Sequence, residues 1–373
     1  MIEVRKVRSF KEKRLFLRFP EKLYKGNPYY VPNLYIDEKN AVNHKSAYED
    51  TTESEFFIAL KDGKTVGRIQ AIIQKAYNEM HNEKRIRFTR FDAIDSQEVA
   101  DALFKAAEEY GREKGMDTIC GPLGYSDFER EGLLIHGFDQ RQTFEEQYNY
   151  DYYAKLIENY GFKKEIDWFE SILRYPKKED KTLEKLASRL LERNSLHLAD
   201  TSLKKKKFLQ KYGNGFFDCI DVSYRDLYGT VPFTPEMRRL IMNVFFPLID
   251  LREICLICDK DEKVVSASVM FPGVSEAVQK SKGHLTPLGI IRLLRAAKHP
   301  KVLDLGLISV RPEYRNSGIV AVALAGMLKA FKEMKIDHME TNLNLETNLN
   351  IRNLWKRFDA TENKKRRSYV KTI

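Results

Sequence analysis

The chain repeats itself. Residues 55–66 have the pattern of a strand, an Asp-Gly turn and a second strand, and residues 254–265 have the same form, with Asp62 and Asp261 offset by 199. Each half then carries a further strand, 68–73 and 267–271. Amphipathic helices follow at 97–114 and 318–334, each ending before a short strand, 116–119 and 336–339, where the offset is 220. A last helix precedes a last strand in both halves, 152–160 before 163–173 and 349–358 before 366–371; Gly161 and Asp359 are 198 apart. Offsets that widen and then shrink describe one framework with different insertions, 124–147 in the first half and 273–300 in the second. Helices alternating with strands, some of them hairpins, predict an α/β fold with a mixed sheet in each half. The charged run Lys177-Lys178-Glu179-Asp180-Lys181 after Pro176 marks the seam, so the expected domains are 1–176 and 177–373.

Composition supports two ordinary domains: 373 residues, of which 43% are hydrophobic, are enough for real cores and argue against disorder. The opening residues lack the apolar stretch of a signal peptide. The longest apolar run, 318–328, is shorter than the roughly 18 residues that a membrane-spanning helix needs. The expectation is a cytoplasmic protein. Its four cysteines fit a reducing compartment. Cys255 and Cys258 form a lone CxxC inside a strand, where alternation sends the two thiols to opposite faces, so no metal is expected. A net charge of +10 raises the question of an anionic partner: nucleic acid, a phosphorylated cofactor or a lipid surface.

The second half answers part of that question. A β-rich run, 302–310, ends in a short basic loop, and an apolar helix begins near Gly318. Such a step aims free backbone N–H groups and the positive end of the helix dipole at one point, a site suited to a pyrophosphate. Gly318 permits close backbone approach, and Arg315 adds charge-assisted hydrogen bonds.

The string Val310-x-Pro312-x-Tyr314-Arg315-x-x-Gly318-Ile319 after a strand resembles the GNAT (Gcn5-related N-acetyltransferase) superfamily. The resemblance implies pantetheine contacts from Ile308 and Val310, and a phosphate loop formed by Arg315, Asn316, Ser317, Gly318, Ile319 and Val320. Val320 stands where the family has a small residue. The stretch from Glu346 to Phe358 resembles the family's Asn-x-x-Ala-x-x-Leu-Tyr helix, which puts Asn348 beside CoA. Trp355 takes the position of the Tyr that protonates the departing thiolate in many members, and an indole has no acidic proton to give. Tyr369 and Tyr314 are the phenols left as donors, and Glu346 and Asp304 are the carboxylates nearest the motif that can relay an amine proton.

With the 220 offset, Arg315 falls on Asp95 and Gly318 on Glu98, so the first half is expected to have lost CoA binding. Those acids suit a ligand-free helix start capped by Ser96. The segments 23–32, 66–73, 78–81, 121–122, 131–139 and 148–153 are together similar to one bacterial family of tandem GNAT proteins, and more loosely to the bacterial ceramide synthases. Residues 124–127 depart from that tandem pattern.

His136 is read as a histidine of a structured loop rather than a base, and His81 as an exposed one. The Lys-rich run 204–207 and the run Asn363-Lys364-Lys365-Arg366-Arg367 are read as solvated faces, open to an anionic membrane; nucleic acid is not an expected partner. The function implied is an N-acyltransferase that moves an acyl group from acetyl-CoA or a longer acyl-CoA to an amine acceptor, a lipid or sphingoid base among the candidates. The acceptor would lie between the halves, against 148–153. A protein that binds acyl-CoA without turnover is the alternative reading.

Overall fold

Two hairpins start the two halves, and their turns are built differently. Asp62 and Gly63, with φ of 50° and 72°, close the first in the left-handed geometry that a two-residue hairpin turn requires. In the second, Asp259 Oδ1 accepts from the N–H of Asp261 at 2.9 Å and of Lys263 at 3.0 Å, and the longer turn closes around that carboxylate.

The computed structural model describes residues 1–177 and 182–373; Lys178, Glu179, Asp180 and Lys181 of the charged seam lie outside the described residues. The first half holds strands β1 (Ile2–Lys6), β2 (Thr52–Lys61), β3 (Lys64–Gln74), β4 (Arg85–Ala93), β5 (Thr118–Gly121), β6 (Leu133–His136) and β7 (Lys163–Arg174). The second holds β8 (His197–Leu198), β9 (Ile254–Cys258), β10 (Val264–Pro272), β11 (Val302–Val310), β12 (His338–Thr341), β13 (Asn344–Leu345) and β14 (Asp359–Thr372). Among the described residues these form one continuous sheet in the order β1-β2-β3-β4-β5-β14-β7-β12-β11-β10-β9-β8, with β6 on β14 and β13 on β7.

That order exchanges the last strands of the two halves. β14 lies against β5 of the first half, and β7 lies against β12 of the second. The two exchanged strands pair with each other along almost their whole length, from Asp359 opposite Arg174 to Val370 opposite Lys163. Each half is thus completed by the other.

Helices cover both faces. The Gln97–Glu113 helix buries Val99, Leu103, Phe104 and Ala107 at helical spacing over β2 and β3. The Val320–Glu333 helix is apolar nearly all round, because it is packed between the sheet and the Thr182–Arg193 helix. The Lys205–Tyr224 helix lies over β10 and β11. Cys255 and Cys258 fall in separate core clusters, as strand alternation predicts.

The basic run on β14 is not a solvated face. Its residues alternate across the sheet: Lys364 and Arg366 are fully buried on one side, while Lys365 and Arg367 both bind Asp167 on the other. Lys364 Nζ lies 2.6 Å from Glu146, 3.0 Å from Glu170 and 3.3 Å from Glu340. Arg366 reaches Glu170 at 2.5 Å and Glu146 at 3.3 Å, and also donates to the Gln147 carbonyl. The two guanidinium and ammonium charges hold Glu146 far below the usual carboxylate range, whereas burial raises Glu170 to about 7. Glu170 therefore takes up a proton more readily than an ordinary carboxylate, whereas Glu146 stays ionised.

Removing a buried cation leaves its carboxylates uncompensated, which costs about 3–5 kcal/mol. Arg366→Met should lower stability by that order in urea unfolding at pH 8, and by less at pH 5, where protonation of Glu170 removes the orphaned charge. Equal stability to the parent chain at pH 8 would contradict the cluster's role.

Candidate functional site

The sheet opens twice, once in each half, where two parallel strands start together and then part. β4 and β5 are paired from Arg85 to Arg87, and β11 and β12 from Val302 to Leu305. Beyond those residues β4 runs on to Ala93 and β11 to Val310. Each departing strand carries a bulge against its hairpin partner, at Arg90 in the first half and at Gly306 in the second. Glycine is required at 306 because a Cβ would meet the Phe271 ring at 2.1 Å.

In the second half the parting leaves main-chain groups exposed to the gap. Arg311 N donates to Val265 O at 2.9 Å, which fixes the alternation along β11. Ser309 and Leu307 then bond to β10, and the N–H and C=O of Ile308 and Val310 face the open side. Tyr224, at the end of the Lys205–Tyr224 helix, donates its hydroxyl to Ile308 O at 3.0 Å. After β11, nine residues from Arg311 to Ile319 precede the Val320–Glu333 helix. Within them Gly318 turns left-handed (φ 80°), Ser317 Oγ accepts from Ile319 N, and Arg315 is exposed and anchored to Ser223 O at 2.9 Å. Exposed Asn316, half-buried Ser317 and Val320, and buried Ile319 complete the loop and the first helical turn, a cradle of the kind that receives a phosphate group.

The first half has closed the same features. Only Ile94, Asp95 and Ser96 stand between β4 and the Gln97–Glu113 helix, so there is no loop to hold a phosphate. Ser96 occupies the cap position, but its hydroxyl makes no capping bond. The backbone of Ala93, which corresponds to Val310, is taken by two tyrosines: Tyr152 donates to Ala93 O at 2.7 Å, and Ala93 N donates to Tyr153 Oη at 3.1 Å. Arg90 at the bulge binds Glu38 at 2.9 Å, and Arg68 binds Asp92 at 2.7 Å.

One cavity of about 1040 Å³ runs from the β11/β12 opening to this charged network. Its wall takes in Asp304, Gly306, Leu307 and Ile308 of β11, and Asn342, Leu343, Asn344 and Leu345 around β13. Tyr224, Tyr228, Trp168, Phe128 and Phe144 add aromatic surface, and Val244, Leu248, Ile249, Leu285, Ile290 and Leu293 add aliphatic surface. Asn348 and Trp355 also line it; Asn348 caps the Leu349–Leu354 helix, and Trp355 Nε1 donates to Asn344 Oδ1 at 3.2 Å.

Acids on that wall lack sufficient partners. Burial raises Asp37 and Asp127 to about 6, Glu145 to about 7 and Glu131 to about 8. Asp304 is pushed well above the carboxylate range, by burial first and then by Glu340, Glu146 and Glu145. Among the described residues no hydrogen bond or ion pair engages its carboxyl. The Arg130 guanidinium, also on the wall, donates to the Val31, Pro32 and Phe144 carbonyls. A cavity with spare acids favours a cation.

The cavity brings together Asp304, Ile308 and Asn348; Val310 and the loop 315–320 follow along the chain beyond its wall. The structure places two other candidates elsewhere. Glu346 accepts from Lys164 Nζ at 2.8 Å and from Asp167 N at 3.1 Å, which fastens β13 to β7 away from the cavity wall. Tyr369 is buried in the first-half core and donates to Glu158 at 3.0 Å. Tyr314 packs against a helix-side cluster outside the cavity. Of the aromatic run 148–153, only Tyr148 lines the cavity. His136 is exposed at β6, and His81 is half-buried against Tyr77 rather than exposed. His197 is opposite Cys258 across β8 and β9, but Lys211 holds the neighbouring Glu262 at 3.0 Å. Tyr224 and Tyr228 escaped notice in the sequence, since nothing local ties the end of a long helix to residue 308.

A folded chain whose acids bind protons more tightly than an unfolded one loses stability as pH rises through the interval between the two affinities. Glu131, Glu145 and Glu253, the last raised to about 8, set that interval at roughly pH 4.5 to 8. The urea midpoint should fall from pH 5 to pH 8, and Glu131→Gln should flatten the slope. A midpoint that rises over this range would refute these assignments.

No family model matches the chain. Over 376 residues it is 28% identical to protein YghO of Escherichia coli (strain K12), covering 98% of this chain and 95% of that one. It is 25% identical to the bacterial ceramide synthase of Caulobacter vibrioides (strain NA1000 / CB15N), covering 98% and 96%. Among solved structures, a tandem GNAT protein from the clavulanic acid biosynthesis pathway aligns over all of this chain and 98% of its own, with TM-score 0.54 and 11% identity. The GCN5-related glucosamine N-acetyltransferase region of a fungal multi-domain GH3 beta-N-acetylglucosaminidase aligns with TM-score 0.59 and 12% identity; the match covers all of this chain and 38% of the fungal one. Two hairpin-led halves, each with a parting parallel pair, joined in one mixed α/β sheet, are the tandem GNAT fold.

Proposed function

We propose that the chain is an acyl-CoA-dependent N-acyltransferase with its acyl-CoA site in the second half and its amine acceptor in the shared cavity. The observation that carries this reading is the position of Asp304: an unpaired, buried carboxyl on β11, two residues before the bulge and four before the main chain that faces the opening.

The loop 315–320 would take the pyrophosphate, with Arg315 pairing its charge. Ile308 and Val310 would bond the pantetheine arm, and Asn348 would stand beside it. An acyl chain continuing inward meets Leu307, Leu343, Leu345 and Trp168, an apolar path that suits more than an acetyl group. The acceptor enters as an ammonium, drawn by the acidic wall, of which Asp37 and Asp127, at about 6, are members charged at neutral pH.

It must lose a proton before its nitrogen can attack the thioester carbonyl. Transfer from an alkylammonium to an ordinary carboxylate is uphill by about 9 kcal/mol, and raising the carboxyl's proton affinity narrows the gap. Asp304 is raised, so it is the group suited to take that proton. The nitrogen–carbonyl bond forms, the carbon–sulfur bond breaks, and the second nitrogen proton passes to the departing thiolate by way of the Tyr224 hydroxyl, which gives one proton to sulfur and regains one from nitrogen. That tyrosine replaces the phenol missing at Trp355: burial keeps its hydroxyl protonated, and it lies on the Ile308 carbonyl at 3.0 Å. Holding both reactants in one cavity supplies much of the rate.

A long-chain amine, such as a sphingoid base, fits this description and is the acceptor class favoured by the likeness to the ceramide synthase. No helix among the described residues is long and apolar enough to cross a membrane, and a lipid acceptor of this class would be met at the membrane surface.

Thiol release from acetyl-, medium- and long-chain acyl-CoA over a panel of amines tests the reading. Asp304→Asn should lower kcat/KM by about 100-fold or more at pH 7 with CoA affinity kept, and by less at high pH where free amine is abundant. Tyr224→Phe should lower kcat with little change in KM. Tight CoA binding without release from any pair would favour the reading in which acyl-CoA is only bound, the one to which Trp355 lends support.

A further inference from the structure

The second-half insertion ends in a helix, Pro287–Lys298, that carries an unusual surface. Thr286 caps it, accepting from Gly289 N at 3.1 Å, and Pro287 begins it, so the helix is well defined at its start. Its inner side, Gly289, Leu293 and Ala297, packs on the protein. Its outer side exposes Leu288 (56%), Ile291 (61%) and Leu294 (53%), with Arg292, Arg295 and Lys298 exposed among and beside them. From Ala277 to Leu303 the chain has six Lys and Arg and no Asp or Glu.

Exposed leucine and isoleucine of this density mark a contact surface. The charge pattern selects the partner. A second copy of the same face would set like charges against each other, whereas an anionic lipid surface accepts both parts: apolar side chains enter the acyl boundary, and long basic side chains reach the headgroups. The helix also forms the cavity's rim, because Ile290 and Leu293 lie in the cavity wall while their neighbours point outward.

We infer that the Pro287–Lys298 helix docks the protein on anionic membrane and sets the cavity mouth against the bilayer, so that an amphiphilic amine or acyl chain passes from lipid to the site without crossing water. The membrane contact stands on the helix alone; the delivery role rests on the function proposed above.

Co-sedimentation with vesicles of phosphatidylglycerol and phosphatidylcholine, compared with phosphatidylcholine alone, tests it with the full chain. Binding should require phosphatidylglycerol and weaken with salt. It should drop by about tenfold or more in Leu288→Gln/Ile291→Gln/Leu294→Gln, and likewise in Arg292→Gln/Arg295→Gln/Lys298→Gln. These side chains are exposed, and circular dichroism checks that both variants keep the fold. Release of thiol with a short-chain acyl-CoA and a water-soluble amine should be unchanged in both, which separates docking from chemistry. Failure of the parent chain to bind anionic vesicles at low salt, or equal binding by the leucine and isoleucine variant, would overturn the docking. So would a dimer in light scattering that the same variant dissolves, since the face would then belong to a second copy. Thiol release absent in every chain would defeat the proposed function and the delivery role, leaving the vesicle result to decide the membrane contact.

Discussion

Two permanent positive charges sit in the middle of the sheet, on a strand that the second half contributes to the first. Lys364 and Arg366 are placed there by β14, and the acids that compensate them come from three separate places: Glu146 from the first-half insertion, Glu170 from β7 and Glu340 from β12. Neither half could bury this cluster alone, because each would hold charge without its partner. The strand exchange and the ion cluster are thus one constraint. It ties the two halves into a single body, and its acids, Glu340 and Glu146, help to raise the proton affinity of Asp304.

The same framework, used twice, has diverged by small local changes. Nine residues lie between β11 and its helix, the loop proposed to hold a phosphate, and only three lie between β4 and its helix. Main-chain groups that face open space at Val310 are bonded to tyrosine hydroxyls at Ala93. Glycine at the second bulge lets the Phe271 ring pack against the strand, whereas Arg90 at the first bulge carries a guanidinium bound to Glu38. The first half has kept the architecture and turned its opening into the charged wall of a cavity that the second half shares. Function is then a property of the pair.

Much of the fold was legible because its signals are local. Hairpin turns, helix periods and the offsets between halves place most elements within a few residues, and the β11–loop–helix step is visible as a string. The limits are equally physical. β14 runs from Asp359, not from 366, because its Lys and Arg residues resemble solvated surface until acids about two hundred residues away in sequence neutralise them. Glu346 and Tyr369 carry suitable chemistry, but β7 and Glu158 engage them, and a sequence does not show which carboxylate has a partner. Asp304 has the opposite history: the sequence offers it beside Glu346 as a carboxylate near the motif, and burial without a partner is what separates the two.

The central claim is that one chain holds one acyl-CoA, in the second half, through the loop 315–320. Calorimetric titration of the chain with CoA measures that directly. The account predicts one site per chain, lost in Arg315→Ala/Gly318→Asp while the unfolding transition is retained. Two sites per chain, or one site that survives in that variant, would contradict it.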